Sequence, residues 1–300
     1  MKKIISFLLL LFFLFLLFRK IDFEKVKESF VNIKWPFVII SILIGLFVFF
    51  LKVYRWNVIL SYKKNISFIR TLEVLSISQL VSYVLPFRAG DVVQIVYLSI
   101  KEEISKIVVL TSIAWYQFID IVFTFLISFY VSFFIIYGYY SKIKLLFLFV
   151  LIIIILILLF NKQIFEFIRQ HFSSLKDKID LLQEAIKNFF SITNLLKTIS
   201  LTIAMIVLGF FSHLFFLKGF NINISPIGVL AFISIPTLVG IIPSTPGFWG
   251  TWDFVAVSVL RIFGVEKELA LSCVLTMHFV STCQIALFGG IFMLKAGVKR

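Results

Sequence analysis

The segment VLPFRAGD at residues 84–91 combines a helix break with a charge inside an apolar stretch. Pro86 cannot continue a helix, because its ring removes a backbone donor, and Gly90 permits close backbone approach or an unusual turn. Arg88 offers a planar fork of donors that matches phosphate, and a helix that begins near Asp91 would expose free N–H groups that attract anions. The pattern predicts an anionic headgroup site, an internal Arg88–Asp91 pair, or both together.

The segment IIPSTPGFWGTWD at residues 241–253 has the same character. Its prolines end one helix, its glycines permit a turn, and two hydroxyl groups stand between the prolines. The carboxylate of this segment lies one turn into the next helix, where it can serve transport chemistry or act simply as a stabilising cap. Its tryptophans serve either as interfacial anchors or as the lining of a lipid path. The candidate substrate-binding residues here are Ser244, Thr245, Gly247, Gly250 and Asp253.

Two further charged residues lie within apolar stretches and complete the candidate site. Arg55, in the sequence YRW, either binds a headgroup or extends its head towards lipid phosphates at the end of its helix. Asp120, in the sequence WYQFID, lies deeper in its helix, and Arg88 and Arg55 are its candidate counter-ions. We interpret His213 and His278 as hydrogen-bonded packing residues rather than ligands.

These motifs are embedded in a composition typical of a protein that spans a membrane. The chain has 300 residues, of which 61% are hydrophobic and 15% are charged, whereas soluble domains carry about 25% charged residues. The net charge of +14 comes from Lys and Arg near the ends of apolar stretches, so we expect contact with anionic lipid and none with nucleic acid. No disulfide, metal site or cofactor is predicted, because the two cysteines lie on one apolar stretch and point apart.

The apolar stretches predict an all-α, polytopic bundle that forms a single transmembrane domain over residues 1–300. Most of the predicted spans reach the roughly 20 residues that a crossing helix needs. We interpret the two broken regions as re-entrant hairpins of half-helices, which together with about six full spans gives about eight membrane segments. The predicted full spans are residues 4–18, 36–60, 107–137, 145–160, 198–217 and 268–294, and the predicted hairpins are residues 71–100 and 227–264.

Basic residues predict the orientation of the chain in the cytoplasmic membrane. The N-terminal stretch imitates a signal peptide but lacks a cleavage site of small residues, so we interpret it as a retained first span. With both termini in the cytoplasm, most Lys and Arg residues lie on the cytoplasmic side, as the positive-inside rule requires, although residues 19–34 oppose it locally. The first hairpin then enters from the inside and the second from the outside, which suits alternating access.

Residues 161–197 form a predicted amphipathic cytoplasmic connector between the two halves of the chain. Apolar residues from Phe165 to Phe189 recur at steps of three and four, which predicts a helix with one apolar face. That face either lies on the inner leaflet or packs against the bundle, or it docks a soluble partner such as a lipid synthase or a glycosyltransferase.

The motifs together resemble the transmembrane region of lysylphosphatidylglycerol synthases, a flippase-like family of integral membrane proteins. The family's Arg-Trp pair near the end of the second span is matched by Arg55 and Trp56. A Leu-Pro-x-Arg-x-Gly-Glu segment follows in the family, and its last residue is replaced by Asp91. The residues that match this segment are Leu85, Pro86, Arg88 and Gly90. The resemblance extends over nearly the whole chain.

Two later motifs of the family are matched in part. Of its Glu-Arg-x-x-Asp segment only the last residue is kept, as Asp120, while Tyr116 and Gln117 stand at the places of the Glu-Arg pair. Its Pro-Gly-Gly-Leu-Gly-x-x-Glu segment is represented near the end of the second broken region, with Phe248 and Trp249 at replaced positions. The residues that represent this segment are Pro246, Gly247, Gly250 and Asp253.

The resemblance implies movement of a lipid across the cytoplasmic membrane, with an anionic or aminoacylated phospholipid or a polyprenyl-phosphate-linked lipid as cargo. The chain ends soon after the last predicted span, so we do not expect the aminoacyl-transferase activity that some relatives carry in a soluble domain. The alternative is a non-catalytic subunit that anchors a lipid synthase or a glycosyltransferase. A membrane-embedded lipid-modifying enzyme is less favoured, because no His follows PSTPG and no carboxylates have metal-ligand spacing.

Overall fold

The computed structural model describes residues 11–85, 89–135, 176–239 and 245–297, and every regular element within these ranges is helical. The all-α prediction is therefore confirmed for this part of the chain. A short 3₁₀ turn, Pro246–Phe248, precedes the tenth helix. The helices are α1 (11–18), α2 (Phe23–Val31), α3 (Trp35–Leu60), α4 (Phe68–Val84), α5 (Ala89–Glu102), α6 (Lys106–Ile135), α7 (Lys176–Phe189), α8 (Ile192–Gly219), α9 (Pro226–Val239), α10 (Thr251–Ile262) and α11 (Lys267–Gly297).

Four of these helices, α3, α6, α8 and α11, are long and apolar enough to cross a membrane. They coincide with the predicted spans 36–60, 107–137, 198–217 and 268–294. Helix α1 is the described part of the predicted first span, and the predicted span 145–160 lies outside the described residues.

Local sequence signals determine where several helices begin. The Asp22 carboxylate accepts the Glu24 backbone N–H at 3.0 Å at the start of α2, and the Ser67 hydroxyl accepts that of Arg70 at 3.3 Å at the start of α4. Such side chains satisfy backbone donors that have no partner within the first turn. Pro36 lies in the first turn of α3, where its missing donor is not needed.

Helices α3 and α8 pack against each other along their lengths in antiparallel orientation. The Ser41 and Ser212 hydroxyls lie 3.2 Å apart in the part of this contact near the N-terminal end of α3. Towards the N-terminal end of α3, a Cβ atom on Gly219 would lie 2.6 Å from Val38 Cγ2. The Lys34 N–H donates to the Gly219 carbonyl at 2.8 Å. The first residues of α3 therefore lie beside the last residues of α8.

Two apolar cores lie at opposite ends of α3. The first contains Val38 together with buried residues of α6, α8, α9, α10 and α11, such as Phe232. The second contains Trp56 together with buried residues of α4, α5, α6 and α7, such as Leu98. Helices α3 and α6 contribute buried residues to both cores, whereas the buried residues of α9 and α10 belong to the first and those of α4 and α5 to the second.

Helices α4 and α5 form the first helical hairpin. An ion pair between Arg70 and Glu102, at 3.2 Å, joins the two helices at the base. Near the tip, Gly90 lies so close to α4 that a Cβ atom would overlap the Ser78 carbonyl oxygen. Of the two roles that the sequence left open for Gly90, the structure therefore shows close approach of two helices.

Helices α9 and α10 form the second helical hairpin, with residues 240–244 outside the described part of the chain. At its base, a Cβ atom on Gly228 would lie 3.0 Å from the Phe263 ring. Its tip contains the 3₁₀ turn, in which Gly247 has a φ of 59°. A Cβ atom on Gly247 would lie 3.0 Å from the ring of Tyr83 in α4. The tip of the second hairpin therefore contacts the end of α4.

The bases of the two hairpins lie at opposite ends of α3. The first hairpin follows the C-terminal end of α3 after a short connection, residues 61–67. The second follows the C-terminal end of α8, which lies beside the N-terminal end of α3. The sequence predicted two hairpins that enter from opposite faces. In the described helices the two bases are opposed, and the tip of the second hairpin contacts the C-terminal end of α4. The depth of the two hairpins in a bilayer stays a prediction.

Helix α7 is the described part of the predicted amphipathic connector, and its apolar side packs against the bundle. Ala185 and Phe189 are buried, and the Phe189 ring stacks on Trp115 of α6 with the ring centroids 5.3 Å apart. An exposed ion pair between Lys63 and Glu184, at 2.9 Å, joins α7 to the residues that follow α3. The apolar face of α7 is thus at least partly covered within the chain.

Candidate functional site

The Arg55 side chain is fully buried where α3 meets α6 and α8. Its guanidinium donates to both carboxylate oxygens of Asp120, at 2.7 and 2.8 Å, and Nη1 also donates to the Thr202 hydroxyl at 2.7 Å. The Tyr116 ring centroid lies 5.9 Å from the guanidinium carbon. A planar fork on a carboxylate is among the strongest side-chain pairings, and a buried cation requires such a partner. Arg55 is therefore the buried member of an ion pair whose other member, Asp120, is partly exposed.

This geometry corrects one interpretation of Arg55. The sequence left open that its head extends to lipid phosphates, but burial and two hydrogen bonds to Asp120 hold the guanidinium inside the bundle. Of the two candidate counter-ions of Asp120, the described one is Arg55, and Arg88 lies outside the described residues. The Asp120 side chain is 39% exposed, so its carboxylate can be reached from outside the bundle.

Further polar side chains connect this ion pair to the first hairpin. Gln117 Nε2 donates to the Asp91 carboxylate at 3.2 Å, and the Tyr116 hydroxyl donates to Gln94 Oε1 at 3.4 Å. Gln94 Nε2 and Arg55 Nε are buried without a hydrogen-bond partner among the described residues. These residues lie on α3, α5 and α6, and we name them the polar seam. The polar seam consists of Arg55, Asp91, Gln94, Tyr116, Gln117 and Asp120.

A second cluster of polar groups ties the tip of the second hairpin to α11. Asp253 is fully buried, and its Oδ2 accepts the Gly250 N–H at 2.8 Å, which caps the start of α10. Its Oδ1 lies 2.6 Å from His278 Nδ1, and His278 Nε2 lies 3.0 Å from the Gly247 carbonyl oxygen. Asp253 is therefore both the predicted cap and the partner of a histidine on another helix.

Both ring nitrogens of His278 face oxygen atoms that accept hydrogen bonds. A carbonyl oxygen carries no proton, so Nε2 donates to Gly247. The other ring nitrogen, Nδ1, faces the Asp253 carboxyl group. The contact gives both side chains a polar partner inside the bundle, where a polar group without a partner is costly.

The remaining described residues of this segment shape the turn at the tip. The Thr245 hydroxyl donates to the Trp249 carbonyl oxygen at 2.7 Å, so it is used within the turn. Gly247 and Gly250 have φ values of 59° and 81°, in the left-handed region that side chains disfavour. The two glycines predicted as site residues are therefore required by the backbone of the tip.

A cavity of about 260 Å³ lies between the two tips and α11. Tyr83 of the first hairpin and Phe248 and Trp252 of the second hairpin line it, together with His278 and Ser281 of α11. His213 of α8 also lines it, so its walls come from four elements that are separate in the sequence. Movement of one tip relative to the other would therefore change the shape of this cavity.

The predicted binding residues form two groups rather than one continuous site. Arg55, Asp91 and Asp120 belong to the polar seam, whereas Arg88 and Ser244 lie outside the described residues. The predicted residues at the tip of the second hairpin are Thr245, Gly247, Gly250 and Asp253. No three His, Cys, Asp or Glu side chains in the described ranges are placed to share a metal ion.

The sequence analysis missed two partners of these residues. Nothing in the sequence indicated that Thr202 would bind Arg55, because a threonine in a helix commonly bonds a carbonyl of the preceding turn. The Thr202 hydroxyl does form such a bond, to the Thr198 carbonyl at 2.8 Å. His278 was predicted to be hydrogen-bonded, but its pairing with Asp253 was not. Two ionisable residues at membrane depth, 25 positions apart, were the available signal.

Replacing His278 with phenylalanine is expected to lower the free energy of unfolding by more than about 2 kcal/mol. The new ring can still stack on Trp249, whose ring centroid lies 4.0 Å from that of His278. The Asp253 and Gly247 oxygens, however, would both lose a buried partner, at about 1–3 kcal/mol each. The measurement is thermal and SDS-induced unfolding of the purified chain, followed by tryptophan fluorescence.

The matched control is His213→Phe. Among the described residues, His213 Nδ1 bonds only the Gly209 carbonyl of its own helix, at 2.7 Å, and that carbonyl belongs to the regular helix ladder. We therefore expect a much smaller change in unfolding free energy. Equal losses in the two variants would show that the Asp253–His278 pair does not hold the tip in place.

A family model described as the lysylphosphatidylglycerol synthase TM region matches residues 3–289. The match includes the polar seam and the second cluster, and it confirms the resemblance that the motifs predicted. No curated protein and no solved structure matches the chain.

Proposed function

Because the chain belongs to the family of lysylphosphatidylglycerol synthase transmembrane regions, we propose that it moves a lipid across the cytoplasmic membrane by shielding the polar headgroup between its two hairpins. The family makes it an integral membrane protein related to lipids, and the described residues include four helices of spanning length. The cargo we propose is an anionic or aminoacylated phospholipid, or a lipid linked to polyprenyl phosphate.

The observation that carries this proposal is the pair of opposed hairpins. Their bases lie at opposite ends of α3, and Tyr83 at the end of the first contacts Gly247 at the tip of the second. Broken helices are tolerated at membrane depth only where the freed backbone groups are buried in protein or line a cavity. Many transporters that open to one side at a time have inverted halves of this kind around a central site.

The polar residues beside the first hairpin supply the chemistry for a charged headgroup. Asp91 lies in the first turn of α5, and its described partner is the neutral side chain of Gln117. Arg88, in the connection between α4 and α5, is the residue that we propose to bind the headgroup phosphate. The Arg55–Asp120 pair already neutralises its own charges, so we assign it the role of holding α3 and α6 in register.

We propose transport ahead of the alternative function as an anchoring subunit. Of the apolar face predicted to dock a soluble partner, Phe189 is buried within the chain, and residues 161–175 lie outside the described residues. We also propose transport rather than catalysis, with both termini in the cytoplasm as the basic residues predict.

Lipid translocation into proteoliposomes tests this function. The native chain is expected to move a fluorescent, headgroup-labelled anionic phospholipid between leaflets faster than empty liposomes do. Arg88→Ala is expected to lower the initial rate at least ten-fold, because the phosphate loses its cation. Arg261→Ala, which removes the same side chain from an exposed position at the end of α10, is expected to keep the native rate.

Two results would contradict the proposal. In the first, the folded and inserted native chain moves none of the labelled lipids faster than empty liposomes do. The proposal that it transports these lipids would then be wrong. Alternatively, Arg88→Ala and Arg261→Ala could lower the rate equally, which would remove the assigned role of Arg88.

A further inference from the structure

A second, smaller cavity of about 170 Å³ lies between α3, α4 and α11. Its polar lining consists of Ser76 and Gln79 on α4 and Ser281 and Gln284 on α11. Ser281 also lines the cavity between the hairpin tips, so the two cavities share one wall. Every polar group in this lining is uncharged.

Three of the four polar side chains of this cavity lack partners among the described residues, whereas the Ser281 hydroxyl donates to the His278 carbonyl oxygen at 2.8 Å. Ser76 is 1% exposed, and its hydroxyl has no hydrogen-bond partner in the described part of the chain. The carboxamides of Gln79 and Gln284 form no hydrogen bond with described residues either. A buried hydroxyl without a partner costs about 1–3 kcal/mol. This cost applies to the Ser76 hydroxyl, and it points to a ligand or water in the cavity that satisfies it.

The other side of the cavity is apolar. Leu46 and Phe49 of α3 and Phe288 of α11 line it, and the two phenylalanine rings contact each other with centroids 5.8 Å apart. Leu43, one turn before Leu46 on α3, is 60% exposed on the surface of the bundle. The cavity therefore has a polar wall on α4 and α11 and an apolar wall that continues to the outer surface.

Its depth follows from the helices that line it. Leu46 and Phe49 lie near the middle of α3, which spans residues 35–60, and Ser281 and Gln284 lie near the middle of α11, which spans residues 267–297. Both helices are of spanning length. Four uncharged polar side chains thus converge at mid-depth, where polar groups are expensive and mark substrate paths.

We propose that this cavity binds the single sugar ring of a glycolipid, with the lipid chains lying along Phe49 and Phe288. Carboxamides and hydroxyls both donate and accept, which matches a ring of hydroxyl groups that do the same. A phosphate or an ammonium group would lie here without a counter-charge in the lining. The volume is below the roughly 300 Å³ at which pockets for drug-sized ligands begin, so it suits one ring rather than several.

This inference rests on the proposed function, because it names the uncharged part of a lipid headgroup that would be carried. Sugar binding is measured in an experiment that does not depend on transport, so the proposed sugar site and the proposed transport function can fail separately. Sugar binding without lipid movement would remove only the proposed transport. Movement of anionic phospholipid without sugar binding would remove only the site proposed here.

The experiment measures binding of radiolabelled monoglucosyl diacylglycerol to the purified full chain. The protein is kept in lauryldimethylamine oxide, a detergent without sugar, since a glycoside detergent would compete. We expect saturable binding that unlabelled glucosyl lipid displaces. Diacylglycerol with the same chains is expected to compete at least ten-fold more weakly, and free glucose is expected not to compete at millimolar concentration.

Three variants test the polar wall. Gln79→Leu and Gln284→Leu are each expected to weaken binding about five-fold, the worth of one lost hydrogen bond. Ser76→Ala is expected to weaken it similarly without lowering the unfolding temperature, because it removes a buried hydroxyl that has no described partner. Gln183→Leu on α7, outside the lining of the cavity, is the matched control and is expected to change binding less than two-fold.

Three results would overturn the inference. Diacylglycerol that competes as well as the glucosyl lipid would show that the cavity binds chains only. Free glucose that competes equally would show that the lipid part is not required. Binding by folded Ser76→Ala, Gln79→Leu and Gln284→Leu that equals binding by Gln183→Leu would show that the ring lies elsewhere.

Discussion

An Asp120→Ala variant is expected to lose about 3–5 kcal/mol of unfolding free energy. The substitution leaves the Arg55 guanidinium, which is fully buried, without the carboxylate that accepts two of its hydrogen bonds. The Thr202 hydroxyl remains beside Nη1 but carries no charge. The measurement is SDS-induced unfolding of the purified variant in mixed micelles, compared with the native chain.

Two further variants isolate the effect of the unpaired charge. Arg55→Met combined with Asp120→Leu removes both charges and is expected to be more stable than Asp120→Ala, since apolar replacement of a buried pair is often nearly neutral. Glu184→Ala breaks an ion pair with Lys63 whose side chains are 37% and 45% exposed, and it should cost less than about 1 kcal/mol. The explanation is wrong if Asp120→Ala costs no more than Glu184→Ala.

Gly90→Ala is expected to lower the free energy of unfolding by about 1–3 kcal/mol or more, the cost of overpacking a close contact. The added Cβ would overlap the Ser78 carbonyl oxygen and the Ser82 hydroxyl. The carbonyl belongs to the backbone of α4 and cannot rotate away, so α4 and α5 would have to separate. Unfolding temperature and the rate of lipid translocation are measured together, and both should fall.

The matched control is Gly209→Ala in α8, where an added Cβ would meet no described atom within 4 Å. Alanine is the better helix former by about 1 kcal/mol, so the control should be neutral or slightly more stable. Gly90→Ala with native stability and native transport would show that the hairpin tolerates a wider spacing, against the packing described here.

The sequence predicted the order of the elements better than the contacts between them. The apolar lengths around Phe49 and Ile203 predicted spanning helices, because the hydrophobic signal of such a helix is local. Pro86 and Gly247 marked the two breaks for the same reason. The roles of Gly90 and Arg55, however, depend on atoms of other helices. The local sequence pattern could not show whether Gly90 allows close packing or a turn. It also could not show whether Arg55 is a buried, paired cation or a surface cation.

The candidate site shows the same division. Asp253 could be read as a cap because a cap is formed by residues three apart, and its bond to Gly250 has that separation. Its bond to His278 joins two helices across 25 positions, and the bond of Arg55 to Thr202 spans 147. Pairings of this kind depend on how the helices pack against each other, and the hydrophobic periodicity of a single helix contains no information about that packing.

The distance along the chain between Arg55 and Asp120 also governs how the bundle is made on the ribosome. The two residues are 65 positions apart, so at roughly 5–20 residues per second about 3–13 s pass between them during synthesis. Arg55 lies near the C-terminal end of α3, which ends at Leu60, and its long side chain can reach the aqueous interface during this interval. We therefore expect the Arg55 guanidinium to lie at the aqueous interface until α6 has been synthesised. It then pairs with Asp120 inside the bundle.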